Sequence, residues 1–174
     1  DLFKSLDSIR NNFIALAELT EGDIAFLKQH SSKTQLWGGE FIKVFYEKLL
    51  ANPETARVFV PGEMEARHQT LATWYSTVAG GKIDENFWKT QYRVGLVHIK
   101  RGVKNEFMTS MMGFIQQKFQ EKTNSEFDAA TALRLSTCFN KVGNTVQTII
   151  SEGYRLGYIQ AIISTAGLSL DLLD

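Results

Sequence analysis

Cysteine, net charge and long apolar runs are all scarce in this sequence. Cys138 is the single cysteine among 174 residues, so the chain forms no disulfide within itself, and we expect it in a reducing compartment, the cytoplasm. Basic and acidic residues number 19 each, and this balance creates no field that would gather nucleic acid or an anionic membrane. No secretion signal opens the chain. It begins with Asp1 rather than methionine, and we interpret it as a fragment.

Proline is nearly absent as well. The two prolines, Pro53 and Pro61, lie close together, and helical periodicity runs through the long stretches on either side of them. No alternating strand pattern bounded by hairpin turn signals competes with it. We therefore predict an all-α chain of about seven or eight helices joined by short loops, a number of helices that is typical of the globin fold.

Apolar spacing places the longer of these helices. It predicts helices over residues 2–12, 63–79, 84–102, 104–122 and 126–160. The chain then carries no charge between Arg155 and Asp171. That run is too short for a confident membrane span, so we expect it to pack as a helix on a partner or on the chain's own core.

Several local signals mark where helices begin. Thr20 and Asp23 resemble a capping box, and Asn52 followed by Pro53 is an N-cap with proline at the first helical position. The pair Gly38-Gly39 is expected to break or redirect the chain. Residues 123–126, Thr-Asn-Ser-Glu, form a full capping box that we expect to open the longest helix.

The helix predicted over residues 84–102 carries the most informative residue of the chain, His98. Asp84 is a suitable N-cap for it and Gly102 a suitable C-cap. The residues that share its inward face are Phe87, Gln91, Val94, His98 and Arg101. A neutral imidazole on a rigid helix can ligate a metal or a haem iron. The alternative is a core histidine that hydrogen-bonds a backbone carbonyl.

No other motif points to an enzyme. The sequence has no Ser-His-Asp order, glycine-rich phosphate loop, HExxH or CxxC motif, and the histidines at positions 30, 68 and 98 lack the spacing of a zinc site. What remains is the helix of His98 and an aromatic-rich helix that holds Phe41, Phe45 and Tyr46. Two such helices facing each other can hold a flat apolar cofactor between them.

Three segments resemble the sensor globins, the haem-binding domains of bacterial globin-coupled sensors. They are FYEKLLANPETARVF (residues 45–59), AGGKIDENFW (residues 79–88) and RVGLVHIKRG (residues 93–102). The resemblance extends over residues 13–150. After Gly102 the family usually shows Leu-x-Pro-x-x-Tyr, but here Asn105 stands for the proline and Met108 for the tyrosine. In the family, that tyrosine has been linked to transmitting the signal of ligand binding. Its replacement by Met108 therefore affects the expected route of signal transmission more than haem binding.

The resemblance implies a fold and a domain plan. The fold is the globin fold, a three-over-three helical sandwich, with an extra N-terminal helix and a long C-terminal helix. Residues 1–174 then form a single sensor globin domain. Its parts are an N-terminal extension over residues 1–20, the globin core over 21–155 and a C-terminal helical extension over 156–174.

The resemblance also implies a site for haem b. His98 is expected to be the proximal ligand of the haem iron, and Tyr46 the distal residue that donates a hydrogen bond to a bound gas. The other expected cofactor contacts are Phe45, Thr70, Leu71, Trp74, Phe87 and Val94. Two neighbouring residues keep alternatives open: Arg67 is either a surface charge or a bidentate donor to a haem propionate, and His68 is either a rim residue or a sixth ligand of the iron.

The function implied is that of the gas-binding input module of a bacterial signalling protein. The expected gas is O2, with CO and NO as further ligands, and the chain itself has no catalytic output domain. The helices over 104–122 and 126–160 are apolar on more than one face, which predicts a homodimer built on them. Two alternatives remain: a haem-free globin-like regulatory module in which His98 is only a core residue, and a haem enzyme such as a nitric oxide dioxygenase or a peroxidase.

Overall fold

The computed structural model describes residues 2–166, with side chains from residue 7 to residue 165. This part of the chain contains helices and no strand, so the all-α prediction is confirmed. A single 3₁₀ turn, Gln35–Trp37, precedes the fourth helix. The α-helices are α1 (Leu2–Leu16), α2 (Glu21–Gln29), α3 (Ser31–Thr34), α4 (Gly38–Leu50), α5 (Pro53–Ala56), α6 (Met64–Ala79), α7 (Glu85–Lys100), α8 (Asn105–Glu126) and α9 (Ala129–Ala166). None of them, over the residues described, is long and apolar enough to cross a membrane.

Three of the predicted helix starts are confirmed. The Thr20 hydroxyl accepts the N–H of Asp23 at 3.2 Å, and the Asp23 carboxylate accepts the N–H of Thr20 at 2.9 Å, which completes a capping box at α2. Asn52 caps α5 through the N–H of Glu54 at 2.9 Å. Asp84 caps α7 through the N–H of Phe87 at 2.7 Å. These side chains bind amide groups that the first helical turn leaves without a partner.

The predicted start of the last helix is wrong. Residues 123–126 form the end of α8 rather than a cap, because Thr123 is fully buried and shares a hydrogen bond of 2.8 Å with Ser136 on α9. The chain becomes extended at Phe127. The side chain of Asp128 then accepts the N–H groups of Ala130 and Thr131 at the start of α9. The interhelical hydrogen bond of Thr123 therefore overrides the local capping pattern.

Helices α7 and α8 both pack along α9, and the crossing of α7 and α9 is made by glycines. A Cβ atom at Gly95 would lie 2.4 Å from the carbonyl oxygen of Ile150 and 3.0 Å from the Cα atom of Gly153. One at Gly153 would lie 2.7 Å from the carbonyl oxygen of Tyr92. The absence of side chains thus lets the two backbones touch. This contact fixes α7 three residues before His98.

An aromatic core joins the other helices to α8 and α9. The Phe119 and Phe139 rings stack with centroids 3.9 Å apart. On α4, the Phe41 ring lies 5.0 Å from the Tyr75 ring of α6, and the Tyr75 hydroxyl donates to the carbonyl of Thr34 at 2.8 Å. Buried aromatic pairs of this kind add to the stability that their buried area provides. They hold α4 and α6 together as one side of the molecule, facing α7.

Candidate functional site

A cavity of about 430 Å³ lies between α4 and α6 on one side and α7 and α8 on the other. Its volume falls within the roughly 300–1,000 Å³ that is usual for cofactor and ligand pockets. Most of its wall is apolar. The predicted site residues that line it are Phe45, Tyr46, Arg67, Thr70, Leu71, Trp74, Val94 and His98.

His98 lies in the cavity wall as a neutral imidazole. Burial, with the charge of Arg101 nearby, lowers its pKa from 6.5 to about 4, so the ring keeps a free lone pair at physiological pH. Its Nδ1 atom is buried and has no hydrogen-bond partner among the residues described. A core histidine bonded to a backbone carbonyl would have such a partner. The Tyr154 ring of α9 packs near it, with the centroids 6.0 Å apart.

Tyr46 contributes a phenol to the same cavity from α4. The residue is 8% exposed, and its ring packs against Phe45, Phe59 and His68 at centroid distances of 5.2, 5.8 and 4.5 Å. Burial raises its pKa to about 12, so the hydroxyl keeps its proton. None of the residues described accepts a hydrogen bond from that hydroxyl. The proton is therefore available to a molecule in the cavity.

Two predicted site residues lie outside the cavity wall. Phe87 is 7% exposed and packs on Trp88 in the core, with the centroids 5.0 Å apart. His68 lies against the ring of Tyr46, and its Nε2 atom is buried without a hydrogen-bond partner in the described residues. In this position it supports the Tyr46 ring. The placement adds nothing to the idea that it is a sixth ligand, which stays a prediction.

Thr70 is in the wall but its hydroxyl is already engaged. It donates to the carbonyl oxygen of Ala66, one turn earlier on α6, at 2.8 Å. Threonines inside helices commonly bond the preceding turn in this way. Thr70 therefore faces the cavity with an oxygen that accepts, and Tyr46 remains the hydroxyl with a proton to give.

Three arginines, Arg67, Arg93 and Arg101, line the cavity. Glu63 pairs with Arg101 and lies 3.7 Å from Arg67, whereas Arg93 has no acidic partner within the described residues. The three guanidinium groups of the wall thus outnumber the one carboxylate that pairs with them. This excess of positive charge favours a cavity occupant that carries acidic groups.

Sequence reasoning missed the part of the wall that α8 and α9 supply. These residues include Phe107, Met108, Met111, Met112, Ile115 and Ile150. Their spacing along α8 signalled an apolar helix, but nothing in the pattern separates a core face from a cavity wall. Met108 takes the position of the tyrosine in the resembled family and is 8% exposed. It presents a thioether there in place of a hydroxyl.

Gln91 is the one amide in this wall, and it is 2% exposed. Its Nε2 donates to the carbonyl oxygen of Phe87 at 3.0 Å, which leaves Oε1 buried with no partner in the described residues. The sequence placed Gln91 on the face of His98 but indicated no role for it. An unbonded amide oxygen gives the apolar wall one acceptor.

Comparison with known proteins gives a family and a fold. The sequence profile of the Protoglobin family matches residues 7–158. No curated protein matches the chain. The globin domain of the Geobacter sulfurreducens globin-coupled sensor is similar in structure, with a TM-score of 0.75 at 20% identity over 83% of this chain and 97% of that one. The globin domain of E. coli DosC in a ferric form has a TM-score of 0.68 at 13% identity, over 83% and 99% of the two chains.

At such identities the similarity establishes the fold. The predicted globin fold with a long C-terminal helix is confirmed. The cavity between α4, α6, α7 and α8 is therefore the interior pocket of a globin.

Proposed function

Because the chain belongs to the protoglobin family, we propose that it is a haem b-binding globin domain that reversibly binds a diatomic gas, with O2 as the expected ligand. The observation that carries this proposal is a neutral imidazole and a protonated phenol in one apolar cavity, on helices from its two sides. The same residues fit haem. A macrocycle requires an apolar cavity, and its iron requires a lone-pair donor.

In this proposal His98 is the axial ligand. Its helix is anchored on α9 through Gly95, so the imidazole is held on a rigid element. Its depressed pKa keeps the ring neutral, and no proton has to leave before it ligates iron. Haem supplies the iron that binds the gas, and the protein supplies the ligand and the polarity of the pocket.

Tyr46 is proposed to stabilise the gas. Its hydroxyl holds a proton that no described residue accepts, and its ring is packed on several sides. A gas ligand that gains negative charge is a good acceptor for this proton, whereas a ligand that stays neutral is a poor one. Tyr46 thereby favours O2 over CO. NO is expected to bind as well.

The arginines are proposed to bind the acidic groups of the cofactor. Haem b carries two propionates, and the excess of guanidinium groups in the cavity wall is opposite to them in charge. The Arg67 side chain is 33% exposed, and its Nε atom lies 3.7 Å from Glu63, which is long for a hydrogen bond, so its guanidinium group is free to bind a carboxylate of the cofactor. This favours the propionate alternative for Arg67 over a purely surface role.

We further propose that the domain is the input module of a bacterial signalling protein and is not itself an enzyme. The proposal includes the division into an N-terminal extension (residues 1–20), a globin core (21–155) and a C-terminal helical extension (156–174). Residues 167–174 lie outside the described part of the chain. No three His, Cys, Asp or Glu side chains gather into a metal site anywhere in the described residues. Turnover of nitric oxide or peroxide by the haem-loaded protein would favour the enzyme alternative instead.

A homodimer on the two C-terminal helices is part of this proposal. Tyr158 and Ile162 lie about one turn apart near the end of α9 and are 50% and 45% exposed. Leu133, near the start of the same helix, is 68% exposed. Large apolar side chains left exposed on a helix favour a contact with a second chain, which is twofold in most dimers. Light scattering should show a dimer at micromolar concentration, and Tyr158→Glu should give the monomer; a monomeric wild type would contradict this.

Haem titration tests the proposal as a whole. The purified protein should bind one haem per chain and give an intense Soret band. The ferrous form should change spectrum reversibly with O2 and with CO. A chain that takes up no haem in this titration would be the haem-free regulatory module.

A further inference from the structure

A group of charged side chains lies at the cavity edge where α6 begins and α7 ends. Glu63, the residue just before α6, accepts the N–H of Val60 at 2.9 Å and forms an ion pair with Arg101. Its second carboxylate oxygen lies 3.7 Å from the Nε atom of Arg67. One carboxylate therefore contacts three parts of the chain.

These contacts link segments that otherwise face each other across the cavity. Arg101 also donates to the carbonyl oxygen of Val58 at 3.4 Å. Val58, Phe59 and Arg101 all belong to the cavity wall. Among the residues described, no other ion pair joins the start of α6 to α7. The ion pair with Glu63 and the hydrogen bond to Val58 thus hold the segment from Val58 to Glu63 to the end of α7.

The group is protected from water to an extent that surface ion pairs are not. The Glu63 side chain is 12% exposed and that of Arg101 is 27% exposed. The nearby pair of Lys104 and Glu54 is about half exposed on both sides and 4.0 Å apart. Exposed pairs contribute little because water and salt screen them, whereas a partly buried, hydrogen-bonded pair is screened less. The pKa of Glu63 is lowered, first by the Val60 N–H bond and then by the two arginines, against the opposing effect of burial, so the carboxylate is charged at neutral pH.

We propose that Glu63 and Arg101 form an ionic latch that closes the cavity edge and limits how fast an apolar ligand enters and leaves. The latch has to open before the segment over residues 58–63 can move away from α7. Breaking it therefore speeds exchange without changing the cavity interior. The inference rests on the proposed function only in taking the cavity as the binding site.

The test uses the protein without haem and Nile red, a neutral dye that fluoresces in apolar surroundings. Glu63→Gln removes the charge and keeps an oxygen for the N–H of Val60. Stopped-flow uptake of the dye should become about tenfold faster, the factor that corresponds to one charge-assisted hydrogen bond. Glu65→Gln is the matched control, because Glu65 is an exposed glutamate of α6 with no ion pair among the described residues. It should take up dye at the wild-type rate.

Two further measurements keep the test independent of how well the variant folds. High salt should speed dye uptake by the wild type by less than Glu63→Gln does, because the pair is partly buried, and should leave Glu63→Gln unchanged, since the variant lacks the charge that salt would screen. The accelerations of Glu63→Gln and Arg101→Gln should be well short of additive in the double variant, because each single variant already breaks the Glu63–Arg101 pair. Three results would overturn the latch. They are a wild-type rate of dye uptake in Glu63→Gln, an equal acceleration of uptake in Glu65→Gln, and accelerations by Glu63→Gln and Arg101→Gln that simply add in the double variant.

Failure of the latch and failure of the haem proposal give different results. If the chain binds no haem but dye uptake responds to Glu63→Gln and not to Glu65→Gln, the latch stands and the haem assignment falls. If haem binds while neither dye uptake nor haem transfer to a scavenger protein responds, the latch falls and the haem assignment stands. If both hold, haem transfer out of Glu63→Gln should also accelerate about tenfold.

Discussion

Replacing Tyr46 by phenylalanine removes one hydroxyl from the cavity and leaves the ring in place. The ring packs on Phe45, Phe59 and His68, so phenylalanine keeps these contacts. The hydroxyl has no acceptor among the described residues, so its loss leaves no protein group without a partner. The variant therefore isolates a single hydrogen bond from Tyr46 to the gas.

The size of the effect follows from the strength of that hydrogen bond. A hydrogen bond to a charge-bearing acceptor contributes roughly 1.5–3 kcal/mol, which is about ten- to a hundredfold in dissociation rate. Oxygen release, measured by stopped flow with CO as the competing gas, should therefore be at least about tenfold faster in Tyr46→Phe. Release of CO should change much less. Because the pKa of Tyr46 is raised to about 12, neither rate should depend on its ionisation near neutral pH.

The matched control is Tyr75→Phe. Tyr75 is a buried tyrosine of α6 outside the cavity wall, and its hydroxyl donates to the carbonyl of Thr34. Its replacement should lower stability and leave both gas release rates unchanged. The reasoning on Tyr46 is refuted if its variant speeds release of both gases equally, which would mean that the side chain only fills space. It is also refuted if neither rate changes.

Three further predictions concern the fold and the titrating groups. Gly95→Ala should lower the free energy of unfolding by about 1–3 kcal/mol in urea titrations, because the new Cβ atom would press on the backbone of Ile150. Gly113→Ala is the control: no atom lies within 4 Å of its new Cβ atom, so the free energy of unfolding should rise by up to about 1 kcal/mol. Equal effects of the two substitutions would refute the close contact between α7 and α9. Burial raises the pKa of Cys138 to about 12, so its thiol should react with a disulfide reagent only as the chain unfolds; fast labelling of the native protein would contradict this. The pKa of His98 falls from 6.5 to about 4 on folding, so between these values the unfolded chain binds the proton and the folded one does not. The apoprotein should therefore lose up to about 3 kcal/mol of stability as the pH drops through this window, and His98→Phe should not.

Much of the fold could be predicted because its signals are local. Thr20, Asn52 and Asp84 cap helices through side chains that bind amides within three residues, so the sequence contains both partners. The same logic failed at Thr123, whose hydroxyl bonds Ser136 on another helix. No local pattern contains that partner. Gly95 and Gly153 are a similar case, since their contact joins two helices and no local pattern contains it.

The candidate site divides along the same line. His98 could be singled out because it lies on an apolar helix face. Tyr46 could be singled out because its segment resembles the sensor globins and because of its sequence distance from His98. Both residues line the cavity. Phe87 shares the face of His98 by spacing, yet it lies about three turns earlier on α7, outside the cavity and in the core beside Trp88. The acceptor of Gln91 and the pairing of Glu63 with Arg101 depend on which groups meet across the fold, and residue spacing does not contain that information.

The most direct test of the account is the absorption spectrum of His98→Gly loaded with haem. Wild-type protein should show a Soret band and a ferrous spectrum typical of ligation by one imidazole. In His98→Gly this ferrous spectrum should disappear, and free imidazole should restore it, because the variant leaves a space of the shape of the missing ring. An unchanged ferrous spectrum in His98→Gly without added imidazole would contradict the assignment of His98 as the axial ligand, and with it the central claim.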